Sequence, residues 1–169
     1  MEAITVRRIK PGEWGQQRDI RLRMLSQAPG SFGSTAEEAS VFEDEDWKAW
    51  AKARAEGSDQ AMFVAVAGGD WIGCAMGSRA DHDEDSAWVS AMWVDHEWRS
   101  QKIAVELLEK VRTWAVSARY RRLELKVAES NQRALRLYER FGFKDTGERS
   151  SMKRDRNITM ATMRMDLDG

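Results

Sequence analysis

The segment Ala91-Met92-Trp93-Val94-Asp95-His96-Glu97-Trp98-Arg99-Ser100-Gln101-Lys102-Ile103-Ala104 holds the densest set of residues able to do chemistry. An apolar run passes through a short polar loop straight into a helical pattern. The first turn of a helix leaves backbone N–H groups without intrahelical acceptors and carries partial positive charge, so such a junction suits a phosphate. Arg99 and Lys102 add cations, and residues 99–126 hold eight bases against three acids. A plain strand–loop–helix connection has the same outline, so spacing alone leaves both readings open. Titratable groups lie nearby. Asp81, Asp83, Glu84 and Asp85 form an acidic run around His82, and His96 follows the apolar run. Imidazole is the side chain whose ordinary pKa lies nearest neutrality, which suits a base. The lone cysteine, Cys74, sits in an apolar run with no histidine beside it in sequence. It reads as a small buried residue rather than a nucleophile.

These groups need elements to position them. Ile4 and Val6 alternate with polar residues as a short strand. Residues 13–27 carry Trp14, Ile20, Met24 and Leu25 at helical spacing, and Pro29-Gly30 ends that helix. Residues 31–35 read as a loop. Residues 43–56 form a second helix with acids at its start, where the dipole favours them. Apolar runs at 61–67 and 71–76 flank Gly68-Gly69-Asp70 as a hairpin. A strand over 87–94 leads into a long helix over 100–118, with Ile103, Ala104, Leu107, Leu108, Val111 and Trp114 on one face. Leu123, Leu125 and Val127 mark a strand. Residues 131–141 mark a helix capped at Ser130 or Asn131 and stopped by Gly142. Residues 157–167 alternate as a final strand. The expected order is β-α-α-β-β-β-α-β-α-β-β, an α/β fold with a mixed sheet. The step from residue 87 to 127 requires a right-handed parallel crossover.

Asn131, Ala134, Leu137, Tyr138, Gly142 and Phe143 fit the pattern Asn-x-x-Ala-x-x-Leu-Tyr-x-x-x-Gly-Phe. Arg99 and Ala104 fit Gln/Arg-x-x-Gly-x-Gly/Ala, with Lys102 in place of glycine. Together the two segments resemble the GNAT superfamily of N-acetyltransferases, and the element order resembles it over essentially the whole chain. The resemblance implies one GNAT-like domain over residues 1–169 that binds acetyl-CoA where strands 87–94 and 122–127 splay apart. The backbone of Met92, Trp93 and Val94 would pair with the pantetheine arm. The amides of Arg99, Ser100, Gln101, Lys102, Ile103, Ala104 and Val105 would cradle the pyrophosphate. Asn131 would hydrogen-bond the pantetheine. Tyr138 would protonate the departing thiolate, a role consistent with reference values near ~8.5 for a thiol and ~10 for a phenol. Lys102 and Ser100 would be strained only if their backbone needed positive φ; a helical Lys102 costs little.

The acceptor would be a small-molecule primary amine that attacks the thioester directly. A peptide or protein amine is the alternative within the enzyme class. A non-catalytic acyl-CoA sensor is the alternative outside it. Where many relatives carry a strand carboxylate as base this chain has Trp88, so Asp85 and His96 are the expected bases, with Asp81, His82 and Glu84 as further candidates. Glu129 before the motif asparagine would organise the loop. Trp14, Phe32 and Gly33 would line the acceptor side, and the acidic stretches at 43–46 and 81–85 would attract a cationic amine. Family analogy adds a homodimer.

Composition bounds the rest. A chain of 169 residues with 42% hydrophobic and 33% charged residues is expected to be globular. A net charge of −1 gives no global reason to bind nucleic acid or an anionic membrane. No apolar run reaches the ~20 residues of a membrane helix. No leader is visible at the start, and one cysteine makes neither an internal disulfide nor a structural zinc site, so a cytoplasmic, metal-free protein is expected.

Overall fold

A computed structural model of the chain describes residues 3–29, 31–32, 34–99 and 101–167, with the backbone alone at Gln101. The expected site residues Gly33 and Ser100 lie outside the described residues. The elements run β1 (Ile4–Arg8), α1 (Trp14–Gln27), α2 (Ala36–Ser40), α3 (Asp44–Glu56), β2 (Gln60–Ala67), β3 (Asp70–Arg79), β4 (Ser86–Val94), a 3-10 turn (His96–Trp98), α4 (Gln101–Ser117), β5 (Arg122–Ala128), α5 (Gln132–Phe141), β6 (Lys144–Ser151) and β7 (Thr159–Asp166). The seven strands form one mixed sheet in the order β1-β2-β3-β4-β5-β7-β6. One element is added to the expected order: the short α2 follows the loop, capped by Thr35, whose side chain accepts from the amide of Glu38. β6, the first of the two closing strands expected, is almost wholly polar.

The helices cover both faces because the central strands are apolar on both. Ala61, Phe63 and Ala65 of β2 pack with the α4 residues Leu107, Leu108 and Val111. Met62 and Val64, pointing the other way, pack with Ile20, Met24 and Leu25 of α1 and Ala51 of α3. α3 starts on a capping box, in which Glu43 and Asp46 satisfy each other's backbone amides. α1 follows Glu13, whose carboxylate takes both Arg7 guanidinium nitrogens at 2.8 Å and the amide of Lys10 at 2.8 Å. No helix is long and apolar enough to cross a membrane among the described residues.

Close packing on the α4 face depends on one missing side chain. A Cβ built at Gly77 of β3 would stand 2.4 Å from Cζ3 of the Trp114 ring. Gly77→Ala is therefore expected to destabilise the fold by about 1–3 kcal/mol through overpacking, read as a lower urea midpoint. An unchanged midpoint would show that Trp114 moves aside freely.

Candidate active site

The site begins where the sheet fails to close. β4 and β5 run parallel but pair only at Ser86–Arg122, Ala87–Leu123 and Trp88–Glu124. Beyond that point β4 stays with β3 and β5 stays with β7 along its whole length. The two strand edges diverge, and a cleft of about 1180 Å³ runs through the gap. Val89 to Val94 on one side and Leu125 to Ala128 on the other line it. Strand edges that leave each other carry unpaired backbone donors and acceptors, which must meet water or a ligand.

A bulge sharpens the opening. Cys74 pairs with Trp93 and Met76 with Ser90, so Ala75 alone opposes Ala91 and Met92. Ala91 takes φ 52°, a left-handed conformation unusual for alanine. Its carbonyl accepts from the Cys74 thiol at 3.2 Å. The thiol is fully buried, and desolvation pushes its pKa up to about 12. Cys74 thus packs beneath the bulge as a buried residue, the place the sequence reading gave it.

The far wall is the junction singled out in the sequence. Arg99 lines the cleft just before α4, and Ala104 lines it from the first turn. Lys102 is the second residue of α4, exposed and helical. The positive-φ residues other than glycine are Ala91 and Arg119 among the described residues, so the lysine sits there without backbone strain. Ile103 is buried in the core and Val105 is partly exposed; their side chains do not line the cleft, and only their amides belong to the junction.

α5 closes the opening from the β5 side. Asn131 caps the helix, its Oδ1 accepting from the Ala134 amide at 3.2 Å, and it also lines the cleft. Cap geometry thus holds its remaining amide nitrogen beside the gap. Gly142, at φ 126°, ends the helix, with its amide and that of Phe143 donating to the Tyr138 carbonyl. Tyr138 is buried at the cleft wall, edge-on to Phe143 with ring centroids 5.9 Å apart. Burial pushes its phenol up to about 12.

The expected bases are not brought to this opening. Asp85 lies at the paired end of β4 and β5, where its carbonyl accepts from the amides of Arg121 and Arg122. His96 is exposed, with Nδ1 at 3.1 Å from Gln27 Oε1 and 3.5 Å from Asp95. Neither lines the cleft. Asp81 does. Its loop is tied down by Asp83, which Arg122 grips at 2.5 Å, and by His82, whose Nε2 stands 2.8 Å from the buried Glu124 in an ion-pair contact outside hydrogen-bond alignment. Arg164 holds the other oxygen of Glu124 at 2.8 Å. Hydrogen bonds from the Asp85 amide, Arg122 and Ser86 keep the Asp83 carboxyl near 2. Glu129 pairs with Arg149 at 2.9 Å and joins its loop to β6.

On the acceptor side Phe32 lines the cleft, whereas Trp14 packs between Arg18 and Lys48 and does not. The acids at 43–46 are spent locally: Asp44 pairs with Arg18, Glu45 with Lys48, and Asp46 caps α3. Sequence reasoning missed Gln17, Arg21 and Arg54, which line this end of the cleft. Their signal was periodic. Gln17, Arg21 and Met24 fall on one stripe of α1, and Trp47, Trp50 and Arg54 on one stripe of α3, so polar residues interrupt apolar faces.

Residues 22–143 match the sequence model of the Acetyltransferase (GNAT) family. A spermine/spermidine N(1)-acetyltransferase of Bacillus subtilis (strain 168) is 31% identical over 86 residues, 47% of this chain and 57% of that protein. The match thus spans little more than half the length of this curated relative. An acetyltransferase of the GNAT family from Streptococcus pneumoniae superposes with a TM-score of 0.84 at 18% identity, over 98% of this chain and 100% of that one. A putative acetyltransferase from Salmonella typhimurium, solved with its cofactor acetyl-CoA, gives 0.80 at 16% identity, over 99% and 95%.

The buried thiol gives a direct check on the bulge. Cys74 in the native protein is expected to react with iodoacetamide at pH 8 at least about a hundredfold more slowly than a free thiol, followed by mass spectrometry. Alkylation at the free-thiol rate would place the sulfur in the open.

Proposed function

The chain belongs to the Acetyltransferase (GNAT) family, and from that premise we propose that it moves the acetyl group of acetyl-CoA to the amine of a small molecule by direct attack. The observation that carries this reading is the seam that parts beyond the Trp88–Glu124 pair with Tyr138 at its wall. The residues present fit the ligand. The diverging edges of β4 and β5 offer backbone groups to an amide-bearing arm. The start of α4, with Arg99 beside it, offers amides and charge to phosphate. Asn131 offers an amide nitrogen between them. Acetyl-CoA, when bound, supplies an acetyl group already activated as a thioester.

Three residues then have distinct tasks. Asp81 faces the cleft as a carboxylate that receives the acceptor's ammonium and accepts its proton. The bulge at Ala91 would leave β4 backbone groups free to meet the acetyl group. Tyr138, which burial keeps protonated, would give its phenolic proton to the leaving sulfur. The amine acceptor is supported by the spermine/spermidine specificity named for the Bacillus relative.

Tyr138→Phe is expected to lower kcat by about 10²–10³ with the acetyl-CoA Kd unchanged. Because the raised phenol pKa lies well above neutrality, Tyr138 stays protonated from pH 6 to 9. Wild-type kcat/KM is therefore expected to rise with pH as the acceptor amine deprotonates, and the variant to keep that profile at a lower plateau. A profile that changes shape in Tyr138→Phe, or an undiminished kcat, would remove Tyr138 from the acid role.

A further inference from the structure

The acceptor end of the cleft is built around two cations. Arg21 of α1 and Arg54 of α3 both line it. Their contacts are neutral. Arg21 lies over the Phe32 ring at 5.9 Å and meets the Met24 sulfur at 3.8 Å. Arg54 donates to Gln17 Oε1 at 3.1 Å and to Gln60 Oε1 at 3.3 Å, and lies over the Trp50 ring at 5.6 Å. Gln17 is itself buried and anchored by its Nε2 on the Trp47 carbonyl at 3.3 Å. No carboxylate stands within ion-pair distance of either guanidinium among the described residues, whereas two other arginines of α1 have one: Arg18 has Asp44 and Arg23 has Asp95.

Two like charges in a desolvated pocket are costly unless something neutralises them. The cost is visible: burial and the neighbouring Arg21 charge push Arg54 down to about 10. Arg21 is lowered by burial as well. Beside Gln17, this wall carries the apolar side chains of Met24, Met62, Met76 and Trp47. Planar guanidinium forks match carboxylates, and such charge-assisted bonds are the strong ones in a low dielectric.

From this arrangement we propose that the acceptor amine also bears a carboxylate-type anion, bound by Arg21 and Arg54, on an apolar body held by the methionines and Trp47. The substrate class is then an amino-acid-like amine. A polyamine, which is cationic along its length, is disfavoured by the same pair. The inference rests on the function proposed above and narrows its acceptor.

The test uses the purified chain. Acetyl-CoA binding is measured first by calorimetry. Thiol release is then followed for L-methionine, L-leucine, L-phenylalanine and L-tryptophan, for their carboxamides, and for spermidine, and binding of each is measured with CoA present. At least one free acid is expected to exceed its own carboxamide by about tenfold or more in kcat/KM, because the amide leaves the half-buried cations without a counter-charge. Arg21→Met is expected to raise KM for the acid about tenfold without changing that for the carboxamide, and Arg21→Lys to restore part of the difference. The wild-type comparison stands even if substitution at Arg21 impairs folding. Carboxamides or spermidine matching the acids would overturn the inference, as would acids that neither bind nor react while acetyl-CoA binds. Failure of acetyl-CoA itself to bind would overturn the proposed function, and this inference with it.

Discussion

Three residue pairs join β4 to β5, and the site depends on there being no more. A parallel pair would normally continue its hydrogen bonds along both strands. Here β5 is held by β7 from Arg122 to Ala128, β4 is held by β3, and the bulge at Ala91 bends the latter edge away. Both ladders use the outer edges of β4 and β5, so beyond Trp88 and Glu124 the inner edges stay open to a ligand that carries its own donors and acceptors. α4 and α5 start near the two open strand ends, so a cationic helix start and an asparagine cap are both set at the gap.

The second constraint is desolvation. Apolar side chains enclose part of the cleft, and the ionisable groups buried among them feel it. Burial raises Tyr138 and Cys74 and lowers Arg21 and Arg54. For Tyr138 this keeps the phenol protonated at neutral pH. For the arginines it creates a demand for negative charge that the surrounding side chains do not meet. One physical effect thus shapes both ends of the proposed reaction, proton delivery at one and acceptor choice at the other.

Much of this was legible in the sequence, for identifiable reasons. α4 and α5 show clean helical periods with a cap and a glycine stop, and the β2–β3 hairpin shows two apolar runs around Gly68-Gly69. The motif Asn131 to Phe143 pointed to the wall that Tyr138 occupies. β6 was faint because Lys144 to Ser151 is polar on both faces, stabilised by pairing with β7 and by Arg149 bridging Asp145 and Glu129. α2 was faint because five residues carry too little period. The acceptor wall was faint because it needs α1 and α3 to converge on one spot. Arg21 and Arg54 are 33 residues apart in sequence. Asp85 and Asp81 looked alike as carboxylates before β4, and only the strand pairing separates the closed end from the cleft.

We propose the open seam as the acetyl-CoA site, and hydrogen exchange of the backbone amides with and without saturating acetyl-CoA tests that assignment. Added protection is expected at residues 91–94 of β4 and 101–105 at the start of α4, with β1, β2 and β6 unchanged. Protection that avoids both segments, or none at all under conditions where acetyl-CoA is bound, would contradict it.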